Sequence, residues 1–340
     1  MLLPAPANRN LITDVPGLSV GNAHDDNLRS GVTVLLGDAP MAAAVDVRGG
    51  GPGTRDVMAL HPEGAVQEVH GLCLSGGSAF GLDAATGVQS FLREKGLGFP
   101  VGDARVPIVP QAILFDLLNG GDKNWGKRPP YQDLAYAACE AACVDFDLGT
   151  VGAGYGATTV NLKGGLGSAS ARTADGTTIG ALAAVNAVGT VTVGEGPHFW
   201  AAPFERDDEF GGHGAAATFP PDATGPRFKG GPGENTTLVV VATDAKLDRL
   251  MLRRLAIMAN TGMARAIYPA HCPIDGDVVF AVSNGQKMLP DPIYGLSDLG
   301  SLGANVVARA IARAVYEASA FQGEPPSLPA YADRFKGGDA

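Results

Sequence analysis

Asn235-Thr236-Thr237-Leu238-Val239-Val240-Val241-Ala242-Thr243-Asp244 is a polar triplet running into an unbroken aliphatic stretch, and it follows a Gly/Pro loop from Lys229 to Glu234. Short runs of β-branched and aliphatic residues bounded by turn formers read as buried strands. Thr236 therefore stands where a loop meets a rigid sheet. A threonine hydroxyl is a weak nucleophile at its own pKa and needs a base within hydrogen-bond reach. The α-amine of a terminal threonine can be that base, since it titrates near pH ~8 and is partly neutral at physiological pH. Here that amine exists only if the chain is cut before Thr236. Two simpler readings stand beside this one: a polar turn ahead of a strand, and an N-glycosylation acceptor.

The rest of the chain sets the context. Its 340 residues, 45% of them apolar, suffice for one large or two ordinary domains with an ample core. A net charge of -10, with no Lys/Arg cluster longer than Arg253-Arg254, argues against a nucleic-acid partner. No run of ~18 apolar residues occurs, and the first ten residues lack a basic-then-apolar leader, so the expectation is a cytoplasmic protein without a membrane partner. Cys73, Cys139, Cys143 and Cys272 include no CxxC. Cys139 and Cys143, in an Ala-rich helical segment, read as small buried hydrophobes in a reducing compartment, which weakens the glycosylation reading.

Along the chain, Leu11–Gly21, Gly31–Leu36 and Met41–Val47 predict an opening antiparallel set. Arg48–Asp56 is a Gly-rich loop whose bare backbone suits close approach to a ligand. His70–Leu74 reads as a strand leading through Ser75-Gly76-Gly77-Ser78 into a helix over Phe80–Lys95. That turn resembles a nucleophile elbow but lacks the last Gly of GxSxG, so Ser78 reads as a helix-start residue. Val106–Leu118 is a strand region whose Pro107 and Pro110 suit an edge or a bend, and Tyr131–Val144 is a second helix. Gly152, Gly154 and Ala157 match GxGxxA, yet no helix follows to hold a pyrophosphate, so the dinucleotide reading fails on context. Asn186 interrupts the apolar strand Gly180–Gly189; it either satisfies a neighbouring loop or donates to an oxyanion. Residues 194–234 lose periodicity. A helix follows over Lys246–Thr261, with Leu247, Leu250, Met251, Leu255 and Met258 at helical spacing. Ile274–Val282 is a strand introduced by Asp275 and Asp277, which lack the pattern of a calcium loop. A last helix, Ser301–Ala320, precedes a polar tail expected to fray.

Taken together, Ile12–Gly21, Ser30–Val34, Val45–Arg55, Ser75–Asp83, Lys163–Ser170, Val185–Gly189 and Asn235–Thr237 resemble the self-processing L-aminopeptidase/D-Ala-esterase/amidase family, which includes β-peptidyl aminopeptidases and the endo-type nylon-oligomer hydrolase. The resemblance spans residues 10 to 320. It implies an α+β fold, the four-layer αββα sandwich of an N-terminal-nucleophile-type hydrolase. It also implies one precursor cut into a large subunit, 1–235, and a small subunit, 236–340, which together form one structural domain. Homo-oligomers of such heterodimers, including tetramers, are a family property. Residue by residue, the nucleophile of the nylon-hydrolase branch falls on Thr236, the residue before the cut on Asn235, and its Lys, Asn and two acids on Lys163, Asn186, Asp275 and Asp277. Asp275-Gly276-Asp277 is similar to that branch rather than to the Ser-x-Glu of the aminopeptidases. A substrate-site Tyr of relatives corresponds to Phe115, so no phenol is expected there.

What the resemblance implies is concrete chemistry. Thr236 Oγ attacks the Asn235 carbonyl, water opens the resulting ester, and the freed amine then serves as base for attack on a small amide, peptide or polyamide oligomer. Asn186 stabilises the oxyanion, the Asp pair orients the Thr236 ammonium and Lys163 offsets their charge. No metal or organic cofactor is expected. An N-terminal-threonine acyltransferase, an aminopeptidase for short peptides and a binding protein that never matures are the alternatives.

Overall fold

A computed structural model describes residues 9–229, 235–321 and 328–335. In chain order the elements are β1 (Leu18–Asp25), β2 (Ser30–Val47), β3 (Gly53–Arg55), β4 (Val69–Ser75), α1 (Ala84–Glu94), β5 (Phe99–Val101), β6 (Ala104–Val106), β7 (Gln111–Ile113), α2 (Tyr131–Glu140), β8 (Gly165–Arg172), β9 (Thr178–Asn186), β10 (Thr236–Lys246), α3 (Arg249–Asn260), α4 (Met263–Ala266), β11 (Val278–Met288), α5 (Tyr294–Tyr316) and α6 (Tyr331–Phe335). Apart from the β5–β6 hairpin, the strands form a nine-stranded sheet in the order β3-β7-β4-β2-β11-β10-β9-β8, with β1 also beside β2. The long β2 joins its two halves: residues from Ser30 to Gly37 pair with β1, largely the same stretch pairs with β4, and Ala42–Val47 pairs with β11. β10 and β11 run parallel, which the helical connection through α3 and α4 permits, while β9 and β10 are antiparallel. The protein is a mixed α/β fold built on this large sheet.

The apolar run after Thr237 has its explanation in how β10 is covered. Strand side chains alternate between faces. Leu238, Val240 and Ala242 enter one apolar cluster with Val20, Leu35, Leu72 and Leu74 of β1, β2 and β4. Val239 and Val241 enter another with Leu252 and Leu255 of α3 and Val306, Val307 and Ile311 of α5. β11 divides in the same way, Val278, Phe280 and Val282 against Val279 and Ala281. A strand covered on both sides is apolar at every position, not at every second one. A third cluster sets Val32, Val34 and Cys73 against Ala84, Val88 and Leu92 of α1 and Tyr131, Ala135 and Cys139 of α2. The glycines of the Lys163–Ser170 stretch serve close packing: a Cβ on Gly165 or Gly167 would overlap the backbone of Ala314 or Ala310 in α5.

Several boundaries differ from the sequence reading, each for a local reason. β7 lies inside the sheet between β3 and β4, and Pro107 and Pro110 precede it, where no ladder bond is lost. Asn186 ends β9 rather than interrupting it. α3 starts at Arg249, because Asp248 caps it by accepting from Met251 N–H and Lys246 still belongs to β10; Leu250 is exposed. α5 begins at Tyr294, after Asp291 takes the Ile293 and Tyr294 N–H groups. Residues 194–229 are anchored by buried Phe199 and Phe210 and by Glu209 paired with Arg309. The tail is not frayed over residues 328–335: Tyr331 is fully buried in α6. Cys139 is buried as expected, whereas Cys143 is exposed just past α2, which stops at Glu140. The Gly/Pro loop ahead of Asn235 falls, over residues 230–234, outside the described residues.

Candidate active site

Strand order assembles the site. Thr236 opens β10 with its Cα opposite Asn186, the last residue of β9, and Asn235 bridges in parallel to Asp275 just ahead of β11. Residues remote in sequence thus meet where β9, β10 and β11 share one end. Thr236 is 4% exposed, and its Oγ1 donates to the carbonyl oxygen of Asn235. The same oxygen accepts the Gly276 N–H at 2.9 Å. Any side chain on Gly276 would collide with Thr236 Oγ1, so the hydroxyl, the carbonyl before it and an amide donor are packed against one another.

The acids stand on the neighbouring turn, both buried. Asp277 Oδ1 accepts the Thr237 N–H at 2.8 Å; its Oδ2 accepts from His271 through the backbone N–H at 3.2 Å and ring Nδ1 at 2.8 Å. Asp275 Oδ2 accepts the Cys272 N–H at 2.9 Å, while its Oδ1 is buried without a partner among the described residues. Burial, and then the Asp277 charge, push the Asp275 carboxyl up to about 7. Protonation also turns an orphaned acceptor into a donor. The Gly-rich loop, expected to approach a ligand, instead builds this turn. Arg48 and Gly49 N–H donate to Asp277 O at 3.1 and 3.2 Å, Gly51 N–H donates to Asp275 O at 2.7 Å, and a Cβ on Gly49 would overlap the turn's backbone.

The raised acid makes a prediction about stability. Folding favours protonated Asp275, so its contribution is fully present below pH ~4 and is lost as pH rises to about 7. In an uncut Thr236→Ala chain, where no ammonium stands beside the acid, Asp275→Asn is therefore expected to melt above its parent at about pH 8, with the difference shrinking toward pH ~4. Thermal melts across that range check it, and a difference independent of pH overturns the assignment.

Asn186 is held in one orientation. Its Oδ1 accepts from Lys229 Nζ at 2.8 Å and Thr158 N–H at 3.0 Å, and its Nδ2 donates to Phe115 O at 2.9 Å. An ammonium only donates, which fixes the amide oxygen on its side. Phe115 thus contributes a backbone carbonyl, with its ring partly buried. Lys163 is fully buried, donating to Ala157 O at 2.8 Å and Gly164 O at 2.9 Å, with the Phe321 ring 5.1 Å away. Burial pushes its ammonium down to about 7; Asp116 opposes that fall and Lys229 adds to it. The expectation that Lys163 offsets the charge of Asp275 and Asp277 is corrected here: its Nζ donates to the Ala157 and Gly164 carbonyls ahead of β8, and the acid that acts on it is Asp116. What lowers the Asp275 carboxyl is first the Cys272 N–H and then His271 and Lys229.

Sequence reasoning missed four groups. Lys229 also takes Thr158 O at 2.8 Å, and its own carbonyl receives Asn235 Nδ2 at 3.0 Å, so it ties the residue before Thr236 to Asn186. His271 buttresses Asp277, and Gly276 supplies only a backbone N–H. Asp116 is buried beside Phe115, bound by Ser30 Oγ at 2.6 Å and Gly77 N–H at 2.8 Å, and burial raises its pKa. Its one sequence signal was an acid inside an apolar stretch.

A sequence profile described as peptidase family S58 matches residues 10–326. The chain belongs to peptidase family S58. An uncharacterised aminopeptidase of Mycobacterium tuberculosis is 40% identical over 355 residues, covering 96% of this chain and 98% of the relative. The 6-aminohexanoate-oligomer endohydrolase of Paenarthrobacter ureafaciens is 30% identical over 289 residues, covering 82% and 76%. Among solved structures, the L-aminopeptidase/D-Ala-esterase/amidase of Ochrobactrum anthropi superposes with a TM-score of 0.73 at 20% identity, over 98% of this chain and 94% of that one. A Burkholderia β-aminopeptidase gives 0.71 at 21% identity, over 99% and 95%. At that identity the structures speak for the fold. As an S58 peptidase the protein is a hydrolase with aminopeptidase or amidase activity, which closes the binding-protein alternative. Among the described residues no helix is long and apolar enough to cross a membrane.

Proposed function

We propose that the chain cuts itself between Asn235 and Thr236 and then acts as an N-terminal-threonine amide hydrolase on short peptides or polyamide oligomers such as those of 6-aminohexanoate. The observation that carries this reading is the Thr236 hydroxyl lying on the Asn235 carbonyl while Gly276 N–H donates to the same oxygen. Attack of Oγ on that carbonyl carbon breaks the C–N bond, forms an ester and leaves the hydroxyl proton on the new amine; water then releases Asn235 as a carboxylate. Gly276 N–H is placed to stabilise the oxyanion of this first step. In turnover the freed amine takes the Thr236 proton and passes it to the leaving amine. Asn186 Nδ2 is assigned as an oxyanion donor, Asp275 and Asp277 as partners of the ammonium, Lys163 as the buried prop of the turn beneath Asn186, and the Phe115 ring as an apolar wall for substrate.

Three apolar clusters separated by two sheet halves support the layering αββα, which is part of the same proposal. So is association of the fragments. β10 and β11, both after the cut, lie between β9 and β2, both before it, so separation would tear the sheet. Denaturing gels should resolve fragments of 235 and 105 (340 − 235) residues that co-elute natively, the smaller beginning Thr-Thr-Leu-Val; a chain that stays whole after long incubation overturns the reading. Thr236 supplies both nucleophile and base, so EDTA is expected to leave amide hydrolysis unchanged. Loss of turnover restored by zinc would contradict the mechanism. Added acceptor amines distinguish hydrolysis from acyl transfer.

A further inference from the structure

His271 is a non-glycine residue at φ +58°, in the left-handed region. Side chains hold such a conformation when their surroundings over-determine it. What determines it here is one atom: the backbone N–H and the ring Nδ1 of His271 both bind Asp277 Oδ2, at 3.2 and 2.8 Å. The other oxygen of Asp277 is taken by Thr237 N–H, in the peptide bond that follows Thr236. A carboxylate only accepts, so Nδ1 carries the hydrogen. The carboxylate is buried at 2% side-chain exposure, whereas the imidazole is 25% exposed, at the rim of the site.

We propose that His271 is a positioning residue for the reaction, clamping the Asp277 carboxylate between its ring and the Thr237 amide. The assignment rests on the reading of Thr236 as an N-terminal nucleophile. One bond from Thr237 leaves the carboxylate free to rotate about it. The second oxygen, held by the His271 ring at 2.8 Å and by the longer backbone contact at 3.2 Å, removes that freedom and keeps the negative charge beside the Thr236–Thr237 backbone. Among the described residues the adjacent Asp275, with one oxygen unpartnered, has no equivalent clamp. A turn alone would require no ring donor, since the backbone N–H of His271 already reaches the same oxygen.

Two substitutions in the full chain separate these roles. Glycine accepts the left-handed backbone and keeps the N–H but has no side-chain donor. Asparagine tolerates the same backbone and places an amide N–H donor on a short side chain. For the amide that wild type turns over fastest among short peptides, amino-acyl anilides and 6-aminohexanoate oligomers, His271→Gly is expected to lower kcat roughly 10- to 100-fold with KM nearly unchanged, a loss of the size seen when an orienting partner is removed. His271→Asn should recover most of that loss, and both variants should melt close to wild type. A fully active His271→Gly, or a His271→Asn no better than it, overturns the proposal. Gels of the same samples keep the two readings apart. A wild type that hydrolyses amides without being cut overturns the Thr236 reading, while a cut and fully active His271→Gly overturns only the role of His271.

Discussion

Thr236→Ala is expected to leave the chain whole and to remove amide hydrolysis, a loss on the order of a millionfold for an enzyme deprived of its nucleophile. The substitution deletes a hydroxyl that contacts the Asn235 carbonyl and leaves the strand pairing to Asn186 intact, so the fold should persist. Thr237→Ala is the matched control. Thr237 enters the site through its backbone N–H, which alanine retains, and its own hydroxyl is buried without a partner among the described residues. That chain should still be cut and active. Mass spectrometry of both variants beside wild type, followed by a turnover assay, decides the matter; fragments from Thr236→Ala beginning at residue 236 would move the nucleophile elsewhere.

How much of this was legible in the sequence depends on the kind of contact. The strand after Thr237 was readable because both faces of β10 are covered, which leaves a run that few other structures explain. The neighbourhood of Thr236, Asn186, Asp275 and Asp277 was reachable through the resemblance, and the register Thr236↔Asn186 with the bridge Asn235↔Asp275 gives it a physical cause. Element ends were less readable, since they turn on single caps such as Asp248 and Asp291. Least legible were groups that act through backbone or across long separations. Gly276 contributes an N–H that any residue type possesses, and the 40 positions between Thr237 and Asp277 or the 43 between Lys229 and Asn186 leave no periodic trace. Lys163 shows the limit of carrying a role over from charge alone: its ammonium donates to the Ala157 and Gly164 carbonyls, and the lysine whose charge reaches Asp275 is Lys229, itself bound to Thr158 and Asn186.

Asp277→Asn is expected to separate maturation from turnover. In the uncut chain the nitrogen of Thr236 is a neutral amide, so the nearby carboxylate has no cation to hold; after the cut that nitrogen becomes an amine that is charged during each cycle. Both oxygens of Asp277 accept N–H groups, Oδ1 from Thr237 and Oδ2 from both the backbone and the ring of His271. Asparagine has a single acceptor, and a donor facing a donor costs about 1–3 kcal/mol when buried. The Thr237 side cannot adapt, because a backbone amide only donates. The His271 ring can: moving its proton to Nε2 leaves Nδ1 as an acceptor for the new amide N–H, while the longer contact from the His271 backbone N–H, 3.2 Å in wild type, is given up. The Thr237 and ring contacts therefore survive, and the larger loss is the negative charge. Self-cleavage should proceed, more slowly than in wild type, while amide turnover falls on the order of a hundredfold, the lower range of what a mispositioned acid-base group costs. If Asp277 only tied down a turn, both rates would match wild type. Precursor disappearance and substrate hydrolysis measured on one preparation test the split, and a variant that fails to mature yet turns over normally once cut would reverse the role given to Asp277.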